Sequence, residues 1–227
     1  MPKLTWDGTG ARLYETGDKQ GVIYPQAADG TYPNGVAWNG LTAVTETPGG
    51  ADVTDLWADD IKYASLRATE TFGGTIEAYT YPDEFAICDG TAQPIKGVTV
   101  GQQPRKPFGF SFISTVGNDV ELNDYGYKVH LIYNATASPS EKSYATINDS
   151  PDAITFSWEI ETTPIVVSDY NGQSMKPTSS IVIDSTKVDE EKMKALLDVL
   201  HGTDENEARL PLPNEVFTII AGTKTGA

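Results

Sequence analysis

The stretch from Ala153 to Thr163 leaves little freedom of fold. Ile154, Phe156, Trp158 and Ile160 alternate there with Thr155, Ser157, Glu159 and Glu161. Side chains change face at every step of a strand, so the pattern reads as a strand with one buried face and one wet, acidic face. The lead-in from Lys128 reads as strand, exposed turn, strand and turn. Upstream, Phe108, Phe110 and Phe112 alternate with Gly109, Ser111 and Ile113, and Tyr127, Val129, Leu131 and Tyr133 alternate with Lys128, His130, Ile132 and Asn134.

Gly and Pro punctuate the rest of the chain densely, as in "DGTYPNG", "TPGG" and "NGQSMKP". Strands are expected near Ala11–Glu15, Gly21–Tyr24, Leu41–Glu46, Ile61–Arg67 and Thr75–Tyr81. Further strands are expected near Val98–Gln102, Lys106–Thr115, Tyr127–Asn134, Ser143–Ile147, Ala153–Thr163 and Ser179–Asp184. Many short strands separated by turns predict a mainly β fold, a β-sandwich or distorted barrel. One flanking C-terminal α-helix is expected in "STKVDEEKMKALLDVLHG", where Met193, Leu196, Leu197 and Leu200 form one apolar stripe. Asp189 is placed to cap it and Gly202 to end it. A short helical turn is expected in "PDEFAICDG", between Pro82 and Gly90, and "RLPLPNEV" reads as extended.

With no repeat and no break in composition, the 227 residues read as one domain, 1–227, with an N-terminal arm at 1–10 and a flexible tail at 221–227. The stretch 46–60, "ETPGGADVTDLWADD", reads as a protruding loop. Leu56 and Trp57 sit there among four Asp, which suits either folding back onto the core or anchoring a neighbouring subunit.

Thirty-two acids against sixteen bases give a net charge of −16, which disfavours nucleic-acid binding because no cluster of Lys and Arg stands out. The charge serves solubility, or else a surface that stays beside a polyanion without adhering to it. Cys88 is the only cysteine, so no intramolecular disulfide can form, and with two His the usual zinc clusters cannot be built. "MPKLTWDGTG" has no signal-like region and no run reaches membrane-spanning length, so secretion and membrane insertion are not expected.

Catalytic signals are missing. "GTGAR" lacks the third glycine of a dinucleotide loop, and neither a Walker lysine pattern nor G-x-S-x-G occurs. "DVELNDYGYKVH" starts like a calcium loop, then fails with Asp124 at the glycine position and His130 at the bidentate-glutamate position. His130 reads as a surface or satisfied histidine and His201 as part of a helix end. No enzyme, cofactor or metal is expected.

"TIEAYTYPDEFAICDG", "GNDVELNDYGYKVHLIYNATASPSEKSYATINDSPDAITFSWEIETTP" and "STKVD" with the following helix and "RLPLPNEV" closely resemble the major tail proteins of long non-contractile-tailed bacteriophages, above all those infecting Gram-positive bacteria. The resemblance spans nearly the whole chain. It implies a tail-tube protein assembled in the host cytoplasm into the virion tail, as hexameric rings stacked into a hollow cylinder. Strands of all subunits would close one barrel around a channel through which DNA passes without specific binding. A tail ruler and tube-end proteins are the implied partners, and the family has no catalytic residues.

In that setting Glu77, Glu159 and Glu161 are the luminal candidates, each on the polar face of an alternating strand. Leu56, Trp57 and Trp6 are the inter-subunit contact candidates, and "RLPLPNEV" is expected to pack on neighbours or on the outer wall. A phage-derived injection device would share the fold. A carbohydrate-binding or adhesion β-sandwich is the alternative of another class, using Trp38, Trp57 and the tyrosines as sugar-stacking platforms.

Overall fold

A computed structural model describes residues 4–147 and 152–222. Its strands are β1 (Tyr14–Pro25), β2 (Val36–Ala37), β3 (Leu41–Glu46), β4 (Gly49–Gly50), β5 (Val53–Ala58), β6 (Ile61–Arg67) and β7 (Glu70–Thr71), then β8 (Gly73–Ala78), β9 (Ala92–Ile95) and β10 (Val98–Val100). After these come β11 (Phe108–Asn118), β12 (Leu122–Ala137), β13 (Phe156–Thr162) and β14 (Ser180–Asp184), with helices α1 (Glu190–His201) and α2 (Pro213–Ala221). The main antiparallel sheet runs β2-β1-β11-β12-β13-β8-β3, with β14 branching from β12.

The branch explains how one sheet makes two layers. β12 pairs with β14 over Lys128–Ile132 and with β13 over Ala135–Ala137. Between these spans the β11–β12 register shifts, and Asn134 takes a φ of 51°. Such a bulge bends the strand and reverses which residues face inward. Ile132 therefore shares a core with Ala135 and Ala137, although their spacing breaks simple alternation.

That inner core is aromatic: Trp38, Phe85, Phe108, Phe110 and Trp158 pack between the β1/β11/β12 half and the β13/β8/β3 half. The ring centroids of Trp38 and Trp158 lie 5.4 Å apart in edge contact, within the favourable range for aromatic pairs. Cys88 is buried in the same core. A second core lies on the other side of β11 and β12, where Tyr24, Leu131 and Tyr133 meet Met193, Leu196, Leu200 and Val216 from the two helices. β11 is thus buried on both faces, and on its helix side Gly109 leaves room for Leu210, whose Cδ2 would lie 2.3 Å from a Cβ there and would have to shift.

Helix α1 follows the expected stripe, with Met193, Leu196 and Leu200 buried and Gly202 at the C-cap with φ 78°. Asp189 occupies the N-cap position without a capping hydrogen bond, and its carboxylate instead pairs with Lys192 at 3.0 Å. The turn after Pro82 is a 3-10 helix over Asp83–Ile87.

Three expectations need correction, and a fourth falls mostly outside the described residues. The 46–60 stretch is not a loop: β4 to β7 form a long hairpin, because Val53–Ala58 and Ile61–Arg67 pair antiparallel, with one register shift between Leu56 and Trp57, around an Asp59–Asp60 turn. Both turn residues have positive φ, 51° and 60°, the geometry that suits the twist of a two-residue hairpin turn. "RLPLPNEV" does not stay extended: Leu210 bridges to Tyr32, and Pro213 then opens α2 from the first helical turn, where its missing N–H costs nothing. This segment packs on its own chain, with Pro211, Pro213 and Val216 buried. Ser143–Ile147 is not a strand; among the described residues no ladder partner meets it, and Ile147 is 90% exposed. Of the 221–227 tail, Ala221 ends α2, and residues 223–227 lie outside the described residues.

Candidate functional site

The polar face of β13 and β8 is built by register. Ser157 lies opposite Glu77, Glu159 opposite Thr75 and Glu161 opposite Gly73, while Trp158 and Ile76 point to the core between them. Directly paired residues share a face, so Glu77, Glu159 and Glu161 stand on one surface. Glu159 and Glu161 are two residues apart, roughly 7 Å along the strand. Thr45 of β3 and Thr136 of β12 extend this surface on either side. The helices pack on the other half of the sheet. Among the described residues none of the three carboxylates has an ion-pair partner.

The hairpin from β4 to β7 is a second site. It leaves the sheet at the Glu46/Gly74 end of β3 and β8 and carries Val53, Leu56, Trp57, Ile61, Tyr63 and Leu66 exposed, Trp57 at 68% and Tyr63 at 74%. Asp55 holds its two strands through Lys62 at 2.8 Å and Ser65 at 2.8 Å, and these bonds, the Lys62 contact first, keep its carboxyl below the usual carboxylate range. Leu56 and Trp57 were the anchors expected in this region. Val53, Ile61, Tyr63 and Leu66 were missed, because the large apolar residues from 53 to 66 are irregularly spaced among Asp and show no period of two. Trp6, the third contact candidate, is 76% exposed and accompanied by Leu4 and Leu13. This arm is tied to the β11–β12 turn by Gly10 N–H donating to Asp119 at 2.9 Å.

The sheet does not close into a barrel. β1 and β3 face each other across a seam that holds a cavity of about 350 Å³ lined by Glu15, Asp18, Glu46, Ser114 and His130. His130 stacks on Phe112 with centroids 4.4 Å apart, its Nε2 lies 2.9 Å from Ser114 Oγ, and its Nδ1 lies 3.4 Å from Glu46 Oε1. Burial pushes the Asp18 carboxyl up. Among the described residues no group of three or more His, Cys, Asp or Glu is arranged to hold a metal. No described helix is long and apolar enough to cross a membrane.

Trp38 is no sugar platform: it is 3% exposed, and its indole N–H donates to Thr80 O at 2.8 Å. The opposite end of the sheet carries a buried polar knot, in which Asp89 accepts from Lys142 at 2.7 Å and lies 3.9 Å from Arg105. Lys142 Nζ also lies 5.2 Å from the centre of the Tyr81 ring, so a cation–π contact fastens the segment after β12 to the core.

No family model and no curated protein matches the chain. Solved structures overlap with it in part. A chain of the anti-feeding prophage baseplate, 6-fold symmetrised, gives a TM-score of 0.37 at 8% identity, covering 82% of this chain and 100% of that one. A chain of the sheath–tube complex of the PVC extracellular contractile injection system, in its extended state, gives 0.30 at 12% identity over 73% of this chain and 88% of that one. The sheath/tube terminator of the same system gives 0.29 at 12% identity over 72% and 98%. At these TM-scores the overlap is slight.

Proposed function

We propose that this chain is a structural, non-enzymatic subunit of a phage-type tail tube, built from hexameric rings stacked into a conduit for DNA. The exposed hairpin from β4 to β7 carries this reading. A two-stranded ribbon is marginal in water by itself, and six large apolar side chains on it stand exposed, with no core among the described residues to enter. A partner surface that takes up Leu56 and Trp57 accounts for both facts. The sequence resemblance supplies the identity of that partner, a second copy of the chain, and the tube as its product.

A stacking contact must be head-to-tail, since only a heterologous interface repeats along an axis. Trp6 and its arm make a further contact in this reading. The face bearing Glu77, Glu159 and Glu161 lines the channel, where carboxylates repel phosphate within about 8 Å at physiological salt. The site of action is the virion tail, with a tail ruler and tube-end proteins as partners. Light scattering of concentrated protein tests the hairpin directly. The parent chain is expected to grow into large particles and Trp57→Ala to stay small; equal growth of both would remove the hairpin from the contact.

A further inference from the structure

The hairpin's receiving surface on the next copy is also legible, and we infer that it is the short β9–β10 hairpin at the opposite end of the same sheet. This inference rests on the assembly reading above and names the partner patch within it. The long hairpin leaves at the Glu46/Gly74 end of β3 and β8, whereas the chain reaches β9 only after the far end of β8 and the 3-10 turn at Asp83–Ile87. Gln103 N–H donating to Gly90 O at 2.9 Å returns the chain to the base of this second excursion. The two hairpins therefore project from opposite ends, as a head-to-tail contact requires.

Both are two-stranded ribbons outside the main sheet, and both expose apolar side chains. On β9–β10 these are Ile95, Val98 and Val100, at 68%, 49% and 43%. Their charges are opposite. From Gly49 to Thr71 there are five acids, Asp52, Asp55, Asp59, Asp60 and Glu70, against the two bases Lys62 and Arg67. The β9–β10 ribbon, by contrast, carries no acid and one base, Lys96, with Lys106 just beyond it, in a chain of net charge −16; Arg105 at its foot is paired with Asp89. In a protein of net charge −16, two copies repel each other on average. An acidic apolar ribbon meeting a basic apolar one escapes this repulsion and fixes the order of approach.

Photo-crosslinking tests the contact. Benzoylphenylalanine replaces Tyr63 in a tube preparation mixed from isotopically labelled and unlabelled chains. The expected adduct joins position 63 of one copy to a peptide within 92–106 of another. If tubes form but the adducts map elsewhere, this inference falls and the assembly reading stands. If no tubes form under any condition, both fall. A charge arm runs beside it. Lys96→Glu is expected to raise the concentration needed for assembly about tenfold. The same change is expected to matter less in a chain carrying Asp59→Asn and Asp60→Gly, which keep the turn and remove its charges. An unchanged assembly concentration for Lys96→Glu would overturn the electrostatic pairing.

Discussion

Trp158 is fully buried among Trp38, Tyr81, Phe85 and Phe156, and it holds the two halves of the sheet together. Trp158→Ala is expected to cost about 3–5 kcal/mol of stability, read as a lower midpoint in denaturant unfolding. Asp89 has a different role, since Lys142 and Arg105 converge on one buried carboxylate. Asp89→Ala leaves both cations short of a partner and is expected to cost about 3 kcal/mol by the same measurement. The Arg209–Glu215 fork, with Nη1 at 2.8 Å from Oε2, depresses the Glu215 carboxyl. A depressed carboxyl contributes stability above its unfolded pKa and loses it as pH falls through the folded value. Glu215→Gln should therefore lower the melting temperature slightly near neutral pH and match the parent chain in acid. Equal differences at both pH values would contradict the assignment. Trp158 and its alternating neighbours were legible in the sequence because alternation is local. The Asp89 knot was not, because its partners are 16 and 53 residues away and nothing near Asp89 announces them.

At the scale of elements, local signals served well where a segment answers to its own pattern. The Leu41–Glu46 and Ile61–Arg67 strands, the α1 stripe and the turn after Pro82 are of this kind. Ser143–Ile147 has strand-like residues but, among the described residues, no neighbour to complete a ladder, and a strand without a ladder is only an extended chain. In the other direction, the Asp-rich composition of 52–60 concealed β5, because turn-forming Asp residues read as loop whether they bound a strand or lie within one. α2 was hidden by the prolines before it, although Pro213 at the start and Gly222 at the end frame it as a helix. The hairpin turn makes a prediction at this scale. Asp60 has a φ of 60°, which glycine adopts at lower cost, so Asp60→Gly is expected to protect the backbone amides of β5 and β6 further in hydrogen exchange. Faster exchange would mean that the Asp60 side chain itself holds the turn.

At the scale of the whole molecule, one sheet is asked to present three different surfaces. Two helices cover the half built on β11, β12 and β14, the β13–β8 face stays bare and acidic, and the hairpins extend from its ends. In the proposed stacked tube, the bare face and the unpaired ribbons each have a place. Substituting Gln at Glu77, Glu159 and Glu161 together is expected to leave the fold and assembly intact while slowing passage of DNA through the tube; unchanged delivery would move these carboxylates to an outer wall. The measurement that bears most directly on the account is electron microscopy of the purified chain over a rising concentration series. The account predicts hollow tubes or stacked rings with a regular axial repeat. Monomers at every concentration, or aggregates with no repeat, would contradict it.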